Sequence, residues 1–191
     1  GHHLAKPQLP LKTLAVRSGL ASYGRNNITY VPGMGSFLQL VGAFSDLPAP
    51  GDPWAEPKAL DRCESCVACM RHCPTGAIAG DRFLLHAERC LTYHNAAAAD
   101  FPSWIDPSWH HCLIGCLRCQ SVCPENASVR EWFEDRVEFS EEETALFIQR
   151  VPLDRLPAET ALKMKSLEIN EDFRLLCRNL SMIIERGSRE S

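Results

Sequence analysis

The amino-acid sequence predicts an α+β protein made of three consecutive parts, and three observations support that prediction. Nine of the ten cysteines lie between residues 63 and 123 of the 191-residue chain. A short alternation of helix and strand patterns precedes these cysteines, and a series of helix signals follows them. We expect the corresponding parts to span residues 1–50, 51–135 and 136–191.

The composition is that of a globular protein, with 45% hydrophobic and 23% charged residues. No apolar run approaches the roughly 20 residues that cross a bilayer, and no signal peptide pattern opens the sequence. Ten cysteines without a secretory context indicate metal ligands or redox chemistry rather than disulfides. We therefore expect a cytoplasmic protein.

The formal net charge of −4 is unevenly distributed. Residues 1–45 contain four lysines and arginines and no acid, so the rest of the chain carries −8. An acid-free stretch of this length suits contact with an anion such as a phosphate or nucleotide. It would equally suit packing against the acidic remainder of the chain, and the sequence leaves both readings open.

The first part contains a helix, a strand and two turns by pattern. Leu9–Ser18 has apolar residues at helical spacing, and Gly19 follows as a helix stop. The polar residues Tyr23–Asn27 are typical of a turn. The remaining expected elements are a strand at Ile28–Val31, a turn at Pro32–Gly35, and a second, mostly apolar strand or helix at Ser36–Ser45.

The later segments divide into a linker and a helical tail. Residues 46–60 hold four prolines and a glycine, which predicts an irregular, largely extended linker. Ser140–Glu143 is a capping-box pattern at the start of a helix. Asp172–Arg186 carries apolar residues on one helical face. Cys177 lies on that face, and we expect it to be a core residue.

The cysteine run at residues 63–74 has a specific spacing, Cys63-x2-Cys66-x2-Cys69-x3-Cys73-Pro74. This is the spacing of a bacterial-type [4Fe–4S] binding loop, in which three thiolates converge on one cluster and the fourth ligates another. A zinc site usually needs two separate Cys-x2-Cys pairs and does not explain a continuous run. The run therefore predicts an iron–sulfur site.

A second copy of the motif lies fifty residues further along the chain. The pattern Cys-x2-Cys-x3-Cys-Pro-x2-Ala begins at Cys66 and again at Cys116. Such an internal repeat is what a protein with two [4Fe–4S] clusters requires, with one ligand exchanged between the copies. The expected ligands of the first cluster are Cys63, Cys66, Cys69 and Cys123, and those of the second include Cys73, Cys116 and Cys119.

The eighth ligand is ambiguous on spacing alone. The position that corresponds to Cys63 in the second copy is Leu113, which cannot ligate iron. Cys112 is one residue out of register, and Cys90 is more remote but lies on the chain between the two motifs. Both remain candidates at this point.

Several further motifs are specific in combination: Leu14–Leu20, Gly24–Asn26, Gly35–Phe37, Ser45–Pro48, Cys73–Ala77, Arg89–Tyr93 and Gly115–Asn126. Together they resemble the epoxyqueuosine reductase family, over roughly residues 9–130. In that family a corrinoid-binding reductase domain precedes a two-[4Fe–4S] domain, as in reductive dehalogenases, and cobalamin reduces an epoxide in a modified tRNA base. The resemblance implies a ferredoxin-like fold for 51–135, preceded by a partial reductase-domain segment and followed by a small α-helical tail.

The resemblance also implies site residues. It assigns the eighth ligand to Cys90, because Cys112 falls where the family has no ligand. Ala5 stands where the family has the aspartate proposed as proton donor, so this chain alone is expected to relay electrons without a complete active site. The implied partners are a redox donor such as flavodoxin or ferredoxin, and a tRNA or small-molecule substrate. The implied cobalamin contacts are Arg25, Asn26, Gly33, Gly35 and Ser36.

Three functional hypotheses follow from the sequence. The leading one is an electron-transfer module with two [4Fe–4S] clusters, part of an epoxyqueuosine reductase-like oxidoreductase. The second is a full cobalamin-dependent reductase of which this chain is a truncated piece. The third is a protein in which the clusters serve only to hold the fold.

Overall fold

The computed structural model describes residues 9–44, 51, 54–132, 137–169 and 173–189. Within these residues the chain is mixed helical with few strands, in line with the α+β prediction. Its elements, in chain order, are α1 (Leu11–Arg17), β1 (Ser22–Tyr23), β2 (Thr29–Tyr30), α2 (Ala68–His72), α3 (Leu91–Ala96), α4 (Arg118–Ser121), α5 (Glu141–Ile148), α6 (Ala158–Ser166) and α7 (Phe173–Arg189).

The internal contacts of the chain separate it into two units. The first unit comprises the described residues of 1–86 and 118–132, and the second those of 87–117 and 133–191. Each unit is discontinuous in sequence. The consecutive boundaries at 1–50, 51–135 and 136–191 remain a prediction.

In the first unit, α1 and a small hairpin form an apolar core. The helix predicted at Leu9–Ser18 is confirmed as α1, and Gly19 follows it with φ +79°, a left-handed conformation that suits glycine at a helix end. β1 and β2 pair antiparallel, with Ser22 opposite Tyr30. The buried core side chains of this unit are Ala15, Val16, Ala21, Tyr23 and Val31.

The strand prediction at Ile28–Val31 and the turn at Pro32–Gly35 are confirmed. β2 occupies Thr29–Tyr30, and the backbone N–H of Gly35 donates to the carbonyl of Val31 at 2.9 Å. Gly33 and Gly35 have φ values of +74° and +65°, which close this turn at little steric cost only because both are glycine.

The second strand or helix predicted at Ser36–Ser45 is wrong. Residues 36–44 adopt no regular structure, and Ser45 lies outside the described residues. An apolar run forms an element only when its side chains find a packing partner, and here the side chains of Val41 and Phe44 stay 74% and 61% exposed.

The predicted linker is irregular in its described part, residues 51 and 54–60, where Ala59 bridges to Tyr23. Its residues Pro48, Pro50 and Pro53 lie outside the described residues.

The cysteine-bearing part of the first unit consists of short helical turns. A 3₁₀ turn at Asp61–Glu64 precedes α2, and a 3₁₀ turn at Pro124–Asn126 follows α4. α2 and α4 pack against each other. Within this unit, α2 of the first motif copy is therefore in contact with α4 of the second copy.

The second unit contains α3 and the helices of the tail. The predicted capping box is confirmed at the start of α5, where Glu143 N–H donates to Ser140 Oγ at 3.2 Å and Ser140 N–H donates to Glu143 Oε2 at 2.8 Å. The last predicted helix is confirmed as α7, although Asp172 lies outside the described residues. Its apolar face packs in a core of Met164, Phe173, Leu176 and Cys177.

Candidate functional site

Four of the predicted ligands line one cavity of the first unit. They are Cys63, Cys66, Cys69 and Cys123, and the first three belong to one motif copy while the fourth belongs to the other. Gly24, Arg25, Asn26, Tyr30, Arg62, Ala68, Pro124 and Glu125 complete the lining. The structure thus brings together the four cysteines that the repeat predicts as ligands of one cluster, and their role as iron ligands stays a prediction.

Local backbone structure explains how these cysteines converge. Cys63 lies in the 3₁₀ turn at Asp61–Glu64, and the backbone N–H of Cys66 donates to the carbonyl of Arg62 at 3.1 Å. Cys69 lies in α2, one short turn further on. Cys123 immediately precedes Pro124, whose fixed φ suits the first position of the following 3₁₀ turn. The two-residue gaps between Cys63, Cys66 and Cys69 therefore form successive short turns that direct all three side chains towards one cavity.

The donor set fits an iron–sulfur cluster. Burial raises the pKa of the Cys69 thiol, and the charges of Cys63 and Cys123 raise it further. Several thiolates in one partly buried site repel one another and resist ionisation. A cluster offsets that cost because coordination to a metal centre deprotonates thiols, and soft sulfur ligands are those that iron–sulfur clusters use. Within the described ranges, no group of three or more His, Cys, Asp or Glu side chains is placed so that it could hold a single metal ion.

Arg25, predicted to contact cobalamin, lies at this cavity. Its backbone N–H donates to the Sγ of Cys63 at 3.4 Å, and its guanidinium donates to the carbonyl of Cys63. Its Nε is buried without a hydrogen-bond partner. The structure therefore brings Arg25 together with one of the predicted iron ligands.

Asn26, the second predicted cobalamin contact, makes its hydrogen bonds to other residues of the hairpin. It is buried, its Nδ2 donates to the hydroxyl oxygen of Tyr30 at 2.9 Å, and its Oδ1 accepts from the N–H of Ile28 at 3.3 Å. Burial raises the pKa of Tyr30, and a hydrogen bond with Cys123 raises it further. The phenol O–H therefore lies beside Cys123, one of the predicted iron ligands.

The other three predicted cobalamin contacts lie just after the hairpin. Space around Gly33 is open, whereas a methyl group at Gly35 would lie 2.5 Å from Asn126 Oδ1. Ser36 is buried, and its backbone N–H donates to Asn126 Oδ1 at 2.8 Å. Gly35 therefore lies close to the segment that carries Cys123, and Ser36 is hydrogen-bonded to it.

The cysteines predicted for the second cluster are divided between the two units. In the first unit, Cys73 follows α2 and its Sγ lies 3.6 Å from Thr75 Oγ1, while Cys119 lies in α4. In the second unit, Cys90 occupies the position just before α3. Cys116 follows Gly115, which has φ +70°.

The rival ligand Cys112 has a contact of its own in the second unit. Its Sγ donates a weak hydrogen bond to the carbonyl of Cys116 at 3.7 Å. Whether Cys90 or Cys112 ligates iron stays a prediction.

Four residues that support the first site were not assigned a role from the sequence. Gln120 and Asn126 donate to Ser36 through their side-chain amides, at 3.0 and 2.8 Å to its Oγ. Arg62 donates to Glu125 at 2.6 Å and so links the loop of Cys63 to the loop of Cys123. Gln120, Glu125 and Asn126 stand in the motif that resembles the family, and this is the one signal that could have pointed to them.

Comparison with known proteins agrees with this site. Residues 62–126 match a family model described as a 4Fe–4S double cluster binding domain. The epoxyqueuosine reductase of Staphylococcus aureus is 30% identical over 125 residues, which cover 65% of this chain and 31% of that protein. The chain thus spans about a third of the length of this relative.

Solved structures share the fold. The structure of epoxyqueuosine reductase from Streptococcus thermophilus superposes with a TM-score of 0.67 at 17% identity, covering 97% of this chain and 48% of the other. An epoxyqueuosine reductase bound to a modified tRNA stem loop gives a TM-score of 0.58 at 21% identity, with the same coverage. The resemblance predicted from the sequence motifs is confirmed.

Among the residues that the structure describes, no helix has the length and apolarity that crossing a bilayer requires.

Proposed function

We propose that this chain, an epoxyqueuosine reductase-like protein, holds two [4Fe–4S] clusters and relays electrons within an oxidoreductase of that kind. The observation that carries the proposal is the convergence of Cys63, Cys66, Cys69 and Cys123 on one cavity. When bound, such clusters supply one-electron oxidation and reduction. The matched double-cluster model over 62–126 supports a second site as well.

The second cluster is assigned to Cys73, Cys90, Cys116 and Cys119. Cys73 and Cys119 lie on α2 and α4 or next to them, and these two helices pack together in the first unit. Cys90 and Cys116 belong to the second unit, where Cys90 precedes α3 and Cys116 follows Gly115. Cys112 is left out because its thiol is engaged with the backbone of Cys116.

The residues around the first cavity tune and shield the ligands. The N–H of Arg25 and the hydroxyl of Tyr30 are aimed at the sulfurs of Cys63 and Cys123. Hydrogen bonds to ligating sulfurs and exclusion of water are the means by which a protein sets the potential of such a site. Asn26 holds Tyr30 by donating to its oxygen, so the phenolic proton is left for Cys123.

Anaerobic reconstitution with iron and sulfide tests the proposal. We expect about eight irons per chain, as two [4Fe–4S] clusters require. Cys66→Ser should lower the iron content and alter one cluster, whereas Cys177→Ala, a buried cysteine far from the motifs in sequence, should leave the content unchanged. Uptake of one metal ion per chain, or none, would contradict the proposal.

A second candidate function is that of a cobalamin-dependent reductase acting on a tRNA or a small molecule, with this chain as one part. The specific observation in its favour is the fold shared with a reductase bound to a modified tRNA stem loop. The candidate cobalamin contacts are Arg25, Asn26, Gly33, Gly35 and Ser36. Titration with cobalamin, followed by its absorption spectrum, tests it: no spectral change with wild-type protein would count against this function.

We place the protein in the cytoplasm and expect flavodoxin or ferredoxin as its electron donor. No disulfide joins any of the ten cysteines, all of which lie in the described residues, and this suits a reducing compartment. The donor is expected from the family resemblance, and anaerobic mixing with reduced flavodoxin tests it by bleaching of the iron–sulfur absorption.

A further inference from the structure

The C-terminal end of α3 is capped by an arginine from α7. The last carbonyls of a helix lack intrahelical partners. Arg178 Nη2 donates to the carbonyls of His94 and Asn95 at 2.8 and 3.2 Å, and its Nη1 donates to the carbonyl of Ala97 at 2.6 Å and to that of Ala99. The guanidinium also lies over the ring of Phe101, 4.1 Å from its centroid. One side chain of α7 thus holds the end of α3.

The neighbouring Asn179 connects α3 to the loop that carries Cys116. Asn179 is 1% exposed, and its Nδ2 donates to the carbonyls of Asn95 at 3.1 Å and of Leu113 at 2.7 Å. Its Oδ1 accepts from Arg178 Nη2 at 3.0 Å, which joins the two side chains into one unit. Asn95 in turn donates through Nδ2 to the carbonyl of Gly115 at 2.6 Å.

Both ends of this network lead to a predicted iron ligand. Cys90 is the residue from which α3 starts, so the position of the helix fixes the position of Cys90. Cys116 lies between Gly115 and Leu117, which have φ values of +70° and +56°. A left-handed leucine costs conformational energy and persists only where surrounding contacts hold it. The hydrogen bonds to Leu113 and Gly115 are such contacts.

We propose that Arg178 and Asn179, together the α7 clamp, are positioning residues for the second cluster, and that they fix Cys90 and Cys116 relative to each other. The inference rests on the proposed function, because it takes these two cysteines as ligands. All the residues concerned lie in the second unit. Metal sites depend on such supporting contacts, and their loss typically costs about 10- to 100-fold in metal affinity.

The test compares iron release from reconstituted protein under a chelator. Arg178→Lys keeps the positive charge but loses the planar fork, and Asn179→Ala removes the bridging amide. For each variant we expect half of the iron to be released about 10-fold faster than from wild type and the other half at the wild-type rate. One component of the paramagnetic resonance spectrum of the reduced protein should change, and the other should not.

Two matched variants separate positioning from stability. Arg174→Lys changes an exposed arginine of the same helix and should match wild type. Met164→Ala opens the buried core of the same unit and should lower thermal stability without selective loss of one cluster. If Arg178→Lys releases both halves of its iron alike, or behaves as Met164→Ala does, the inference is overturned.

Failure of the inference is distinguishable from failure of the proposed function. A wild-type chain that takes up only about four irons contradicts the proposed function, and the inference falls with it. A wild-type chain with about eight irons and an unaffected Arg178→Lys variant overturns the inference alone. Far-UV circular dichroism checks folding, and if Asn179→Ala does not fold, Arg178→Lys decides the question.

Discussion

Asn126 donates a hydrogen bond through its Nδ2 to the Oγ of Ser36 at 2.8 Å, across 90 residues of sequence. The pair is reciprocal, because the backbone N–H of Ser36 donates to Asn126 Oδ1 at 2.8 Å. Asn126 is fully buried and also donates to the carbonyl of Gln120 at 2.8 Å. Its side chain therefore ties the segment after the hairpin to the loop of Cys123.

Replacement of this amide should destabilise the first unit. Asn126→Ala leaves the N–H of Ser36 buried without its partner and removes one of the hydrogen bonds that the carbonyl of Gln120 accepts, the other coming from the N–H of Cys123, and we expect a loss of about 2 kcal/mol in the free energy of unfolding. Anaerobic chemical denaturation measures it. Ser36→Ala removes only the hydroxyl, so the hydrogen bonds of Asn126 to the N–H of Ser36 and to the carbonyl of Gln120 remain. This variant should lose less of the free energy of unfolding than Asn126→Ala. A loss below about 0.5 kcal/mol in Asn126→Ala would contradict this role.

The two glycines of the turn should respond differently to alanine. At Gly33 the added methyl group meets open space, so Gly33→Ala should lower the free energy of unfolding by about 1 kcal/mol, because alanine is disfavoured in the left-handed conformation. Gly35→Ala carries the same conformational cost, and its methyl group would also lie 2.6 Å from Val129 Cγ2. Overpacking adds about 1–3 kcal/mol. Thermal unfolding of the two variants measures the difference, and equal losses would refute the close approach at Gly35.

The stability of the second unit should depend on the charge of Glu143. The pKa of Glu143 is lowered to about 2, first by the hydrogen bond from Lys163 and then by the N–H of Ser140. Because a carboxyl with a lowered pKa stabilises the fold in its ionised form, the contribution is complete above the ordinary pKa of 4.5 and is lost as the pH falls towards 2.

Glu143→Gln isolates that contribution. The wild type should be the more stable of the two at pH 6, and the difference should shrink between pH 4.5 and 2. Thermal unfolding followed by circular dichroism, with both proteins prepared alike in cluster-free form, measures it. A difference that stays constant over this range would show that the charge of Glu143 is not responsible.

The eighth ligand can be assigned by paired substitutions. Cys90→Ser should lower the iron content or alter the spectrum of one cluster, since a ligand is lost. Cys112→Ser should leave both clusters intact, because Cys112 stands where the family that the motifs resemble has no ligand, and its thiol donates to the carbonyl of Cys116. Iron analysis and paramagnetic resonance of both variants give the answer, and the reverse outcome would transfer the ligand role to Cys112.

Features that depend on neighbouring residues were predictable from the sequence. The spacing of Cys63, Cys66 and Cys69 places three thiols at one cavity because each gap is a single tight turn. The capping box at Ser140 is equally local, since both of its hydrogen bonds join residues three apart. In each case the pattern and the geometry that it produces lie within one turn of chain.

Features that depend on distant partners were not predictable. Ser36–Ser45 has the apolar content of a strand or helix, but whether such a run forms either depends on what packs against it. The hydrogen bonds of Arg178 reach residues about eighty positions earlier in the chain. An arginine in an amphipathic helix is expected to face solvent, and no local pattern distinguishes one that caps another helix.

The central claim is that the chain carries two clusters that accept electrons, and spin quantification of the chemically reduced protein tests it most directly. We expect paramagnetic resonance signals that integrate to about two spins per chain, one for each [4Fe–4S] cluster. A protein that holds about eight irons but develops no spin at accessible potential would contradict the claim, and its clusters would then serve only to hold the fold.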